Sequence, residues 1–127
     1  MILEVINGTF SICSIDRNVQ IDWTSPYTFV SKMEEECSLV CLSKRVPEEV
    51  IQESKGWRAF YMSDIEDKET NVALVRISDV LAKNGIAMHV ITTFKTNYIL
   101  VKDDSLEKAL TVLRRNGYGI HRKEDKK

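Results

Sequence analysis

GIAMHVITTFKTNYILVK, residues 85–102, decides the fold. It reads as two apolar strands flanking a short polar turn. Just before it a helical segment ends at Lys83-Asn84-Gly85, and just after it another begins at Asp103-Asp104-Ser105. Helix, strand, strand, helix is the middle of a split β-α-β repeat.

The flanking segments extend that order. From Asn71 to Asn84 the residues Val72, Leu74, Val75, Ile77, Val80 and Leu81 form a wide apolar stripe at helical spacing, which predicts a helix packed on a sheet. Asp104 followed three residues later by Glu107 resembles a capping box. Leu106, Ala109, Leu110 and Leu113 then recur at i, i+3, i+4 and i+7 until Asn116-Gly117 ends the helix. With Trp57 to Met62 as the first strand and Tyr118 to Ile120 as the last, residues 57–121 read strand, helix, strand, strand, helix, strand. The expected fold class is α+β, a ferredoxin-like βαββαβ sandwich.

The N-terminal half is less regular. Ile2 to Ile6, Asn7-Gly8 and Thr9 to Ile15 predict a hairpin, because Asn-Gly tolerates the positive φ angles of a tight two-residue turn. A polar loop with Asp16, Arg17 and Pro26 follows. Tyr27 to Met33 and Ser38 to Leu42 read as strands around the acidic turn Glu34-Glu35-Glu36, whose ordinary role is a solvated hairpin tip. Pro47 to Ser54 reads as a short helix with proline in its first turn, ended by Lys55-Gly56.

At 127 residues, 43% hydrophobic and 29% charged, the chain suits one core divided into two lobes. The expected division is a lobe at 1–56, a domain at 57–121 and a charged tail at 122–127. A net charge of -1 argues against nucleic acid and anionic membrane as partners, since both require clustered Lys and Arg. The absence of a basic leader and of any apolar run near about 18 residues predicts a cytoplasmic protein.

Three cysteines, Cys13, Cys37 and Cys41, give no disulfide framework in that setting and read as buried structural thiols rather than zinc ligands. No cofactor and no metal is expected. Nor is catalysis: the chain carries no G-x-S-x-G elbow, P-loop, Rossmann fingerprint or H-E-x-x-H motif, and His89 in a strand reads as structural.

GWRAFYM at 56–62, a helix, and then residues 85–102 resemble the small ACT-domain proteins, whose pattern here runs G-I-S-I-F-x-I-S-T-Y-D-T-D-Y-I-L-V-K. Upstream, Phe29-Val30-Ser31 and the run Glu36-Cys37-Ser38-Leu39-Val40-Cys41 resemble the first half of the same family. The resemblance implies two tandem ACT-like lobes, the N-terminal one degenerate, and a regulatory protein that senses a small amino acid. The similar branch includes cytosolic arginine sensors of the CASTOR type, which resemble fused duplicates of such a unit. A homodimer is therefore implied, with the ligand between two C-terminal lobes.

Carried over by position, the ligand-binding residues implied are Thr70, Asn71 and Val72 at the helix start and Thr93, Phe94, Thr96 and Asn97 at the strand and turn, with Ala87 and Met88 facing them from the partner copy. Helix-start amides would hold a carboxylate. Asn71 replaces a glycine of the pattern, Asn97 an aspartate and Ala87 a hydroxyl residue, which argues against a basic amino acid, since an ion-paired hydrogen bond is worth about 1.5 to 3 kcal/mol. The alternative is a degenerate ACT module serving protein interaction, its pocket filled by its own side chains.

Overall fold

The computed structural model describes residues 1–63 and 70–122, with only the backbone of Thr70. The loop leading into the first helix and all but the first residue of the expected charged tail lie outside the described residues. Eight strands and two α-helices are present among those described: β1 (Ile2–Val5), β2 (Phe10–Ser14), β3 (Phe29–Lys32), β4 (Cys37–Leu42), β5 (Gln52–Met62), α1 (Thr70–Lys83), β6 (His89–Thr92), β7 (Asn97–Lys102), α2 (Leu106–Arg115) and β8 (Gly119–Arg122). The fold is α+β, with the ferredoxin-like order β5-α1-β6-β7-α2-β8. No described helix is long and apolar enough to cross a membrane.

The chain divides into two compact units, residues 8–57 and residues 1–7 with 58–127. The first seven residues therefore group with the C-terminal unit, not with the lobe at 1–56 expected from sequence. The reason is strand pairing. β1 lies antiparallel to β5, with Leu3 opposite Met62 and Val5 opposite Phe60, and parallel to β8, with Leu3 opposite Ile120.

In this C-terminal unit β7 pairs with both β5 and β6. Leu3, Val5, Phe60, Met62, Ile99 and Val101 point from the strands to one face, where Ala73, Ile77 and Leu81 of α1 and Leu106, Ala109, Leu110 and Leu113 of α2 close over them. Each of the Val, Leu, Ile, Phe and Met side chains among these contributes about 1.5 to 3 kcal/mol on burial. The predicted α1 stripe is narrower than expected: Val72 and Val75 are 54% and 67% exposed. Both helices end in a glycine at positive φ, Gly85 at 70° and Gly117 at 93°. Ile86 N donates to Leu81 O and Gly85 N to Ala82 O, while Tyr118 N donates to Leu113 O and Gly117 N to Arg114 O, so the last carbonyls are satisfied as in a Schellman cap.

In the unit of residues 8–57, β2 pairs antiparallel with β4 and with the first part of β5, and β3 with β4. Cys13, Ile15, Cys37, Leu39 and Cys41 form its described core, covered by Val19, Ile21, Val46 and Val50. The three cysteines are buried free thiols.

Three local expectations are corrected. β1 and β2 are not a hairpin: neither pairs with the other, and of Asn7 and Gly8 only the glycine has positive φ, at 99°. The type I′ turn that Asn-Gly signals needs it at both. Residues 47–54 form no helix. Gln52, Glu53 and Ser54 instead pair with Ser14, Cys13 and Ile12, and the only helical turn nearby is the 3-10 turn Ser43–Arg45. Finally, the capping box is not made. Asp103–Ser105 form a 3-10 turn, Ser105 caps α2 without a side-chain bond, and Glu107 accepts a hydrogen bond from Arg122 at 2.5 Å.

Candidate functional site

The start of α1 and the turn between β6 and β7 come together in the C-terminal unit. Thr92 pairs with Asn97 across the two strands, and Thr93 N donates to Thr96 O at 2.8 Å, closing a turn around Phe94 and Lys95. The turn is braced by one side chain, since the Thr93 hydroxyl donates to Thr96 O at 3.1 Å and accepts from Thr96 N at 3.2 Å. Its tip holds Phe94 out in solvent, fully exposed.

Beside this turn is an open depression of about 480 Å³, lined by Asn71 and by residues 92–97. Asn97 forms its floor. Although polar, it is only 5% exposed, and its Oδ1 accepts a hydrogen bond from the Thr92 hydroxyl at 2.6 Å. Burial of a carboxamide without such a bond is costly, so Thr92 fixes which end of the amide faces away from it. At the opposite wall α1 begins with no acidic residue in its first turn. The amide hydrogens of that turn have no intrahelical acceptor.

Of the residues expected from sequence, Asn71, Thr93, Phe94, Thr96 and Asn97 line this one depression. Val72 is exposed on the first turn of α1 without lining it, and of Thr70 only the helical backbone is described. Ala87 and Met88 precede β6 and do not line the depression either. Met88 is half-buried against the unit's own core, and the Ser78 hydroxyl donates to its sulfur at 3.9 Å. Thr92 and Lys95 line the site without having been expected there. Strand alternation puts Thr92 on the same face as Val90, but only the observed register, Thr92 opposite Asn97, brings its hydroxyl to the carboxamide.

The depression lies inside the part of the chain that matches a known family. Residues 54–115 match the ACT domain family. The ACT match spans most of β5, α1, β6, β7 and α2, and with them every residue of the site. Among solved structures, the chain is similar to protein Atu0741 of Agobacterium tumefaciens, with 22% identity and a TM-score of 0.76 over 99% of this chain and 96% of that one. It is similar also to VC0802 of Vibrio cholerae, described as a protein of unknown function and possible transport protein, with 17% identity and a TM-score of 0.61 over 87% and 85% of the two chains. A third similar structure is the aspartate kinase of Clostridium acetobutylicum, described as an allosteric enzyme. There the identity is 11% and the TM-score 0.62, over 84% of this chain and 32% of the kinase. At these identities the likenesses show the shared fold. No curated protein matches the chain.

Proposed function

We propose that this chain is a non-catalytic regulatory ACT protein whose C-terminal unit binds a small amino acid or related metabolite, with the site completed at the interface of a homodimer. The observation that carries this reading is the open depression at Asn71 and residues 92–97, within the ACT match and built from five of the residues expected from sequence. Among the described residues its lining offers hydroxyls, two carboxamides, one ammonium and one ring. With no imidazole or carboxylate among its described residues to accept a proton, that lining suits binding better than general-base chemistry.

The contrasting interaction module requires the pocket to be filled by the protein's own side chains. Phe94, the largest side chain of the lining, instead stands in solvent. A thermal-shift screen against the common amino acids tests the binding role, because a ligand at 100 times its dissociation constant adds about 2.7 kcal/mol to stability. A rise in Tm with one or a few of them is expected. If none shifts the Tm and calorimetry on the folded dimer gives no heat, the binding role is wrong.

A further inference from the structure

The hairpin that carries the candidate site has a counterpart in the unit of residues 8–57. β3 pairs with β4 from Phe29 opposite Val40 to Lys32 opposite Cys37, and β6 with β7 from His89 opposite Leu100 to Thr92 opposite Asn97, so the second register repeats the first 60 positions on. The repetition extends to the turn and beyond it. Met33 N donates to Glu36 O at 2.7 Å as Thr93 N does to Thr96 O at 2.8 Å, the buried Cys37 stands where Asn97 stands, and a 3-10 turn follows each hairpin, Ser43–Arg45 and Asp103–Ser105. A depression lies beside this turn as well, of about 600 Å³ and lined by Arg17, Lys32, Met33 and Glu34. What differs is the other wall. In place of a helix start this unit brings Arg17. Asp16 turns the chain there, its Oδ1 accepting Asn18 N at 2.9 Å and its carbonyl accepting Val19 N at 3.2 Å, and Arg17 Nη2 donates to Met33 O at 3.4 Å and also to Glu34 O.

We propose that the β3–β4 turn is a second ligand seat, for a guanidinium group, and that Arg17 fills it as a ligand supplied by the chain itself. The inference goes beyond the binding role of the C-terminal unit and stands without it. The carbonyls of Met33 and Glu34 are neighbours that the closing bond of the turn does not use. They suit a guanidinium, whose hydrogens lie in one plane and donate with the assistance of its charge. The local charge agrees, since Glu34, Glu35 and Glu36 outweigh Lys32, and a cation beside three carboxylates eases their mutual repulsion. Arg17 follows closely on the bond from Ile15 N to Cys37 O at 3.0 Å, so it reaches the turn as an intramolecular partner with which a free cation competes poorly. While Arg17 holds the seat, that seat is closed to outside ligands.

Amide NMR on the full chain, with ethylguanidinium as the probe, tests this. In the parent a millimolar excess of the probe should leave the amides of residues 33–36 in place, because Arg17 occupies the turn. In Arg17→Ala, a change at an exposed position, the same amides should shift saturably at millimolar probe. Ethylammonium, a point charge without the planar fork, should bind about tenfold more weakly. Arg17→Gln, which keeps a polar side chain and loses the charge, should take the probe as Arg17→Ala does. A folded Arg17→Ala or Arg17→Gln protein with no saturable shift at residues 33–36 overturns the proposal and leaves Arg17 as a tie for its loop. A parent that takes the probe as tightly as the variants overturns it too. So does ethylammonium binding as tightly as ethylguanidinium, which reduces the seat to general attraction by the three glutamates. Independently of any variant, the Arg17 Nη hydrogens of the parent should exchange with water more slowly than those of free arginine, and equal rates overturn the proposal even where both variants fail to fold.

Discussion

Cys13 and Cys41 show how much a single buried position governs. Burial is the main cause that pushes both thiols up to about 11, and the neighbouring Glu53 carboxylate adds to it in each case. Folding therefore favours the protonated thiol. Below the ordinary thiol pKa both states are protonated and stability is unaffected. Between about pH 9 and 11 the unfolded chain releases protons that the folded chain keeps, so stability falls by about 1.4 kcal/mol per pH unit for each thiol. Urea titrations from pH 8 to 11 should show that loss, and Cys13→Ser with Cys41→Ser should flatten it. A second residue-scale prediction concerns Ser11, fully buried, whose hydroxyl donates to Glu53 Oε2 at 2.7 Å and lies 2.8 Å from the Ser43 hydroxyl. Ser11→Ala leaves a carboxylate short of its partner and should cost about 1 to 3 kcal/mol in chemical denaturation. The buried cysteines were legible because their types alternate with polar residues in strand text. Glu53 was not, since a glutamate after Pro47 and two further glutamates reads as helix until its cross-strand partner, Cys13, is known.

Among the elements, the two helix ends were read correctly, because Asn-Gly signals a backbone state that only the local chain must satisfy. Gly85 and Gly117 both sit at positive φ with open space where a Cβ would stand. The cost of Gly85→Ala or Gly117→Ala is then purely conformational, about 1 to 2 kcal/mol, seen as a Tm lower by several degrees with the fold intact. A loss much beyond that would show that the caps hold more than their own helices. The misread elements failed for one shared reason. Asn7-Gly8 and residues 47–54 carry sound local signals for a hairpin and a helix, yet both border β5, an 11-residue strand that offers backbone partners to the segments before it. An isolated helix shorter than about 12 residues is marginal by itself, so pairing with β2 prevails over helix propensity in residues 52–54. The site was legible only in part on the same grounds. Asn71, Thr93, Phe94, Thr96 and Asn97 were reached by carrying the family resemblance over by position, whereas the bond between Thr92 and Asn97 depends on register.

For the molecule as a whole, the proposed dimer has a specific physical opportunity in β6. Among the described residues β7 is its one strand partner, and three of its four residues are exposed. Thr93 N bonds to Thr96 O, and antiparallel hydrogen bonding alternates along the ladder. Val90 and Thr92 therefore turn their backbone groups outward, away from β7. Val90 is 38% exposed, and Val75 on α1 is 67% exposed. An edge of this kind pairs readily with another strand, and a two-fold pairing of β6 with its copy would give an isologous interface. Proline at an outward-facing edge position removes a donor needed by the partner but none used by β7. Val90→Pro should therefore leave a folded chain that light scattering finds monomeric at concentrations where the parent is a dimer. Val75→Lys, at an exposed helix position where stability changes stay within about 0.5 kcal/mol, should weaken the same dimer by charge repulsion across the two-fold axis. A parent chain that is monomeric at micromolar concentrations and above removes the dimer altogether. A Val90→Pro protein that remains folded and dimeric would retain association but place it on a surface other than the β6 edge.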